Sequence, residues 1–304
     1  MAQHDVHIIP LLCAIYAGDV KGARKLIKAG ATILEEYHID GIRYTPLHIA
    51  TERGVIDTCK DLVNAWASAF LIDADSISPL SLATKNTRNQ NEILDYFFGL
   101  GTCISEVNKA DEDGDRPLHY AACHGNKHAV EQLLKHGANP NVRNRVSTTP
   151  LWDACKVGNF DIVRLLTQYG AISSHEDTQD SCSVGDDCEA FPRSPLYDVL
   201  GLTPFLPEAQ NIVYYLVDSG YDLSKEHWIP KGNFPTSLPH TGTSLTRWLV
   251  REARTPRSLQ VLCRKTIKQT IGSYPKEVEE LPLPRLIKDY ILHRFISGQF
   301  RDRL

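Results

Sequence analysis

Apolar and polar positions in the first two thirds of the chain follow a repeating helical frame. Each frame opens with a Pro-Leu pair, continues with apolar residues three or four positions apart, and closes at a glycine that follows a second apolar run. Proline suits the first turn of a helix, where the N–H has no partner, and glycine suits a left-handed helix end. The frames begin at Pro10, Pro46, Pro79, Pro117, Pro150 and Pro195. The pattern predicts six helix pairs, over about residues 8–223, each of which buries its apolar stripe against its neighbours.

The fourth frame carries the most detailed signature. Residues 113–142 contain Asp-Gly-Asp-Arg-Pro-Leu-His-Tyr-Ala-Ala and, later, Leu-Leu-Lys-His-Gly-Ala-Asn-Pro-Asn, and in this they resemble an ankyrin repeat. The resemblance implies an all-α, ankyrin-repeat solenoid of about six repeats, whose helix pairs are joined by hairpin fingers. Some frames depart from the pattern: Trp66 replaces the closing glycine of the second, and the sixth carries an insertion around Pro204 and Pro207.

The frame disappears after residue 223. Proline and glycine between residues 224 and 243 indicate a connector, and Ser244 is the predicted N-cap of one further helix. That helix has Leu245, Trp248, Leu249 and Ala253 on one side. We therefore divide the chain into an array (1–223), a connector with a capping helix (224–254) and a final segment (255–304).

The final segment has its own two-part pattern. Leu259, Cys263, Ile267 and Ile271 recur every four residues behind an N-cap at Ser258, which predicts an amphipathic helix. A Leu-Pro-Leu-Pro run at 281–284 precedes a further predicted helix. A segment this short cannot bury enough apolar surface to offset its ordering entropy, so it needs a partner. Insertion of the helix into a groove on another protein would provide one.

Residues 255–296 resemble a SOCS box. Periodicity alone would equally fit an ordinary capping helix of the array, but the proline-rich second motif favours the box. The resemblance implies that the first helix binds elongin C, with elongin B, and that the second motif binds cullin five with its RING subunit. The implied elongin contacts are Ser258, Leu259, Leu262, Cys263 and Ile267. The implied cullin contacts are Leu281, Pro282, Leu283 and Pro284.

Ankyrin repeats followed by a three-helix SOCS box identify the chain as resembling the ankyrin repeat and SOCS box family. The family implies a non-catalytic substrate receptor of a ubiquitin ligase: the array binds a target protein, and the box recruits the machinery that ubiquitinates the target for proteasomal degradation. The alternative is a scaffold that sequesters its partner and binds elongin mainly for stability.

Composition narrows the compartment and the partners. A net charge of −4 without a basic cluster gives no case for nucleic acid or an anionic membrane. The first residues lack the features of a signal peptide, and no stretch approaches a membrane span. Eight cysteines, six of them in or beside predicted helices as small apolar residues, do not form a disulfide framework. We expect a reducing compartment, the cytoplasm, with the nucleus as the alternative.

The fingers are the predicted target-binding surface. Aromatic and charged side chains dominate protein interfaces, although exposed charges are often merely solvated. The candidates are Tyr37, Tyr44, Phe70, Asp111, Asp113, Arg143 and Arg145.

Other candidate sites have plainer interpretations. His48 and His119 occupy the His of the Pro-Leu-His motif, which predicts a structural hydrogen bond rather than catalysis. The acidic insertion at 172–193 contains Cys182 and Cys188 but lacks the spacing of a zinc site, so we expect a solvated loop, with a substrate contact as the alternative. The sequence has no nucleotide-binding or nucleophile motif, and we predict no cofactor and no metal.

Overall fold

The computed structural model describes most of the region of the predicted repeats and only single positions beyond residue 254. The described residues are 10–31, 37–39, 42–65, 77–85, 88–101, 106–171, 194–202, 206–221, 223, 226, 228–235, 244–254, 280, 285 and 288. The chain divides into two compact units, Met1–Asn139 with Asn144–Val146, and Pro140–Arg143 with Ser147–Leu304. Each unit is described by itself below.

The first unit is a stack of four helix pairs. Its helices are α1 (Pro10–Tyr16), α2 (Val20–Lys28), α3 (Pro46–Glu52), α4 (Ile56–Asn64), α5 (Pro79–Leu82), α6 (Arg88–Gly99), α7 (Pro117–Cys123) and α8 (Lys127–Lys135). Strands β1 (Tyr37–Ile39) and β2 (Ile42–Tyr44) form an antiparallel hairpin between α2 and α3. First helices contact first helices and second helices contact second helices, so each pair buries its stripe against the next.

The second unit continues the same frame with two helix pairs and two further helices. They are α9 (Pro150–Val157), α10 (Phe160–Gln168), α11 (Pro195–Leu202), α12 (Pro207–Asp218), α13 (Trp228–Lys231) and α14 (Ser244–Arg254). Helix α9 packs on α11, α10 on α12, and α13 on α14. The predicted fold class, all-α with ankyrin repeats and hairpin fingers, is confirmed.

The predicted helix starts coincide with the six Pro-Leu pairs. The first helix of every pair begins at the proline, and Thr45, Ser78 and Thr149 cap three of these helices from extended backbone. Each cap's hydroxyl oxygen accepts the backbone N–H three residues later, which satisfies one donor that the helix leaves unpaired.

The predicted glycine ends are also present. The glycines that close the described helix pairs have positive φ, a region that residues with a Cβ rarely adopt: Gly30, Gly101, Gly137, Gly170 and Gly220. The second pair differs, because α4 is followed by Ala65 at φ −87°, and Trp66 lies outside the described residues.

The predicted helical cysteines differ in burial, and the predicted cap at Ser244 needs correction. Among the cysteines predicted in or beside helices, Cys59 and Cys155 are buried, whereas Cys13 and Cys123 are exposed on the short first helices α1 and α7. Ser244 is exposed and is the first residue of α14 rather than its cap, while Leu245, Trp248 and Leu249 are buried. Within the stretch expected to be a connector, α13 places Trp228 and Ile229 in the core.

None of the helices in the described stretches is both long and apolar enough to cross a bilayer.

Candidate functional site

The first finger is the β1–β2 hairpin. Its register pairs Tyr37 with Tyr44 and Ile39 with Ile42, so the two predicted aromatic residues face each other at the end of the ladder away from the turn. The pairing brings the backbones of Tyr37 and Tyr44 together. Their side chains lie outside the described part of the structure, as does Phe70.

The finger before α7 is organised by Asp111. One carboxylate oxygen accepts the backbone N–H groups of Asp113 (3.0 Å) and Asp115 (2.8 Å), and the other accepts the Tyr120 hydroxyl at 2.5 Å. The backbone closes the same turn, since the Gly114 N–H donates to the Asp111 carbonyl at 3.0 Å. Asp111 therefore shapes the finger instead of presenting a free carboxylate to a partner.

Tyr120 links this finger to helix α7. Burial raises the pKa of its phenol, and the hydrogen bond to the Asp111 carboxylate raises the pKa further. The phenol therefore stays protonated as the donor to Asp111, and the turn stays tied to the helix.

The tip of the following finger is bonded to the Asp111 turn. The Arg145 N–H donates to the Asp113 carbonyl at 2.8 Å, and the Asn144 side-chain amide donates to the Asp115 carboxylate at 2.8 Å. Gly114 makes the approach possible, because it has φ +77° and a Cβ there would lie 2.9 Å from the Arg145 nitrogen. We call residues 111–115 and 144–146 together the paired tips.

The paired tips expose four side chains: the acids Glu112 and Asp113, the base Arg145 and the apolar Val146. Asp113 and Arg145 are exposed, as the sequence predicted for finger charges, and both belong to the first unit. Val146 is 75% exposed and did not figure among the sequence candidates. In the sequence, Val146 is a single apolar residue between Arg145 and Ser147. One apolar residue forms no pattern, so its exposure could not be predicted from the sequence. Arg143 is half-buried and belongs to the second unit.

The two histidines of the Pro-Leu-His motif are tied into their own helix starts. His48 Nδ1 accepts the Thr45 N–H at 3.2 Å and lies 2.8 Å from the Thr45 hydroxyl, and His119 Nδ1 accepts the Arg116 N–H at 3.1 Å. Both imidazoles are buried. The predicted structural hydrogen bonds of these histidines are present.

A buried carboxylate was not predicted from the sequence. Glu226 is 1% exposed, and its two oxygens accept the Tyr221 hydroxyl and the Trp228 indole N–H. Trp228 makes edge contacts with the rings of Tyr197 and Phe234. This network holds α13 against the last helix pair of the second unit.

The predicted elongin and cullin contacts lie outside the described residues. They are Ser258, Leu259, Leu262, Cys263, Ile267, Leu281, Pro282, Leu283 and Pro284. The acidic insertion at 172–193 also lies outside them.

Family comparisons identify both modules. Residues 80–177 match the ankyrin repeat family in three copies, and residues 255–292 match the SOCS box family. The second match contains both parts of the final segment, the Ser258 helix and the Leu-Pro-Leu-Pro run.

The curated relatives include proteins with both modules. The chain is 27% identical over 259 residues to the mouse protein named Ankyrin repeat and SOCS box protein 16. The aligned region covers 82% of this chain and 52% of the mouse protein. The human protein of that name is 26% identical over 283 residues, with 82% and 60% covered. Putative ankyrin repeat protein FPV031 of fowlpox virus (strain NVSL) is 28% identical over 152 residues, with 49% and 43% covered. The chain thus spans about half the length of the curated relatives it matches.

Proposed function

We propose that this chain, an ankyrin repeat and SOCS box protein by its two matched modules, is the substrate receptor of a cullin-RING ubiquitin ligase. The repeats bind a target protein. The box binds elongin C with elongin B, and cullin five with its RING subunit. The chain contributes proximity rather than a chemical group, because the RING subunit and a conjugating enzyme transfer ubiquitin to the target, which is then degraded.

The SOCS box match over residues 255–292 supports the ligase half of this proposal most directly. Within it we assign elongin binding to Ser258, Leu259, Leu262, Cys263 and Ile267. We assign cullin binding to Leu281, Pro282, Leu283 and Pro284.

We assign target binding to the fingers. The proposed contacts are Tyr37, Tyr44, Phe70, Asp113, Arg143 and Arg145, and Asp111 serves them by fixing the turn that carries Asp113. We propose that the protein acts in the cytoplasm, where thiols stay reduced.

Replacing Pro282 and Pro284 with alanine tests the cullin contact. We expect the double variant to capture elongin B/C as the wild type does but to lose cullin five, because only the second motif is changed. Pro275→Ala, a proline in the same segment but outside the motif, is the control and should retain both partners. Affinity purification with quantitative immunoblotting of elongin C and cullin five is the measurement.

The same variants separate a ligase from a scaffold. If the chain is a receptor, proteins whose abundance falls when the wild type is expressed should recover with the proline double variant. Abundances that do not differ between wild type and double variant would favour the sequestering scaffold.

Leu259→Ala combined with Cys263→Ala tests the elongin contact. Burying a leucine fully contributes roughly 1.5–3 kcal/mol, and a central interface anchor can contribute more. We expect the double variant to lose elongin co-purification, while Arg264→Ala on the polar face retains it. Undiminished elongin capture by the double variant would contradict the assignment.

A further inference from the structure

We infer that the paired tips anchor a target segment in which one apolar side chain lies between a basic and an acidic residue. The inference rests on the proposed function, since it requires that the repeats bind a target protein. It goes further by naming the anchor residue, Val146, and the chemistry of the segment that fits it.

Val146 is the most exposed of the large apolar side chains that are exposed in the described part of the chain. Its exposed fraction is 75%, compared with 45% for Tyr16, 43% for Val157 and 39% for Leu206. A single exposed apolar residue is common on protein surfaces and by itself indicates nothing. The backbone that carries Val146 distinguishes it from the others.

The backbone that precedes Val146 is held by hydrogen bonds. The residues before Val146 are bonded to the Asp111 turn through the Arg145 N–H and the Asn144 amide, each at 2.8 Å. The residue after it, Ser147, has φ +63° and is the one non-glycine residue with positive φ among the described residues. A side chain held on an ordered backbone loses little further conformational entropy on binding, so its buried area is converted more fully into affinity.

Charge determines what can lie beside Val146. The exposed carboxylates of Glu112 and Asp113 lie on one tip and the exposed guanidinium of Arg145 on the other. A uniformly acidic segment would be repelled by the first tip and a uniformly basic segment by the second. A segment with opposite charges on the two sides of its apolar residue meets a complementary charge at each.

The test uses the full-length chain and a probe of random linear peptides displayed on phage. We expect selected peptides to share an apolar residue between a basic and an acidic one. Val146→Ser should reduce their capture about tenfold, the loss expected when the buried methyl groups of one valine are removed. Val157→Ser, which changes an exposed valine elsewhere, is the matched control and should not reduce capture.

The charge part of the inference has its own variants. Arg145→Glu should weaken the selected peptides and shift a repeated selection away from acidic residues on that side. Because all these positions are exposed, the variants should unfold with the wild-type transition, which circular dichroism checks.

Three outcomes would overturn the inference: no peptide is enriched, the enriched peptides lack the pattern, or Val157→Ser reduces capture as much as Val146→Ser does. Elongin capture, measured on the same protein samples, separates these from failure of the proposed function. Loss of pattern with elongin capture intact contradicts only the anchor, whereas absence of elongin capture from the wild type contradicts the ligase itself.

Discussion

Replacing Glu226 with alanine should be among the most destabilising single changes in the second unit. The carboxylate is 1% exposed and accepts hydrogen bonds from Tyr221 and Trp228, each of which is 2% exposed. Without the acceptor, the Tyr221 hydroxyl and the Trp228 indole N–H lose the bonds that they donate to the carboxylate in a buried site. Water cannot replace the carboxylate unless the core opens.

The size of the effect follows from the two lost bonds. A hydrogen bond to a charged group contributes about 1.5–3 kcal/mol, and a buried donor that loses its acceptor costs about 1–3 kcal/mol. We therefore expect Glu226→Ala to lower the free energy of unfolding of this region by about 4 kcal/mol. Glu226→Gln should cost about half as much, because the amide keeps one acceptor oxygen but presents its NH₂ to the second donor.

The assay must report on this region, because a repeat protein can lose one end before the rest. Hydrogen exchange followed by mass spectrometry of peptides from 194–235 measures local opening, and the fluorescence of Trp228 follows the loss of its indole contacts. Glu208→Ala is the control, since Glu208 is an exposed acid on α12 of the same unit. A surface substitution of this kind should change stability by no more than about 0.5 kcal/mol.

Equal protection factors in Glu226→Ala and Glu208→Ala would refute this reasoning. They would mean that the carboxylate is not the acceptor that holds α13 in place. If Glu226→Gln loses as much protection as Glu226→Ala, only the expected order of the two variants is refuted, because that order rests on the number of acceptor oxygens that remain.

Three further predictions concern other parts of the described chain. Gly114→Ala should destabilise the paired tips more than Gly137→Ala destabilises its own turn. Both glycines have positive φ, but only at Gly114 would the new Cβ meet backbone, at 2.9 Å. Hydrogen exchange at the Arg145 amide measures the opening of the paired tips, and equal effects of the two substitutions would argue against the close approach. Alkylation with mass spectrometry should modify Cys123, which is exposed, well before Cys59, where burial raises the pKa of the thiol to about 12; comparable rates would contradict the burial of Cys59. Burial raises the pKa of Tyr221 well above its ordinary value, so the unfolded chain releases this proton at a lower pH than the folded chain does. The stability that the protonated phenol confers is therefore complete below about pH 10 and falls as the pH rises further. If the stability of Tyr221→Phe falls as steeply at alkaline pH as that of the wild type, this contribution is excluded.

The helical frame could be predicted because its determinants are local. A proline tolerates the first helical turn, and a hydroxyl one residue earlier caps it, so Thr45-Pro46 and Thr149-Pro150 mark helix starts without knowledge of any distant contact. The closing glycines are equally local, since positive φ is a property of one residue.

The exposed cysteines show where a local pattern is insufficient. Cys13, Cys59, Cys123 and Cys155 all lie in helices as predicted, yet the first and third are exposed and the other two are buried. Helices α1 and α7 have only seven residues, so a shift of one position along the frame decides whether a side chain faces the next pair or solvent. The sequence contains the helix but not the packing direction of each of its positions.

The paired tips and the Glu226 network could not be predicted from the sequence, for a different physical reason. Asp113 and Arg145 are separated by 32 positions, and no periodicity indicates that the carbonyl of one accepts the N–H of the other. Glu226 lies in a stretch whose prolines and glycines predict a connector, and its burial follows only from the positions of Tyr221 and Trp228. Backbone and polar contacts of this kind have no amphipathic signature, since they depend on which groups lack a partner once the helices have packed. In this chain the helices could therefore be predicted from pattern, while the rigidity of the surface that we propose contacts a target depends on hydrogen bonds between segments that sequence alone does not connect.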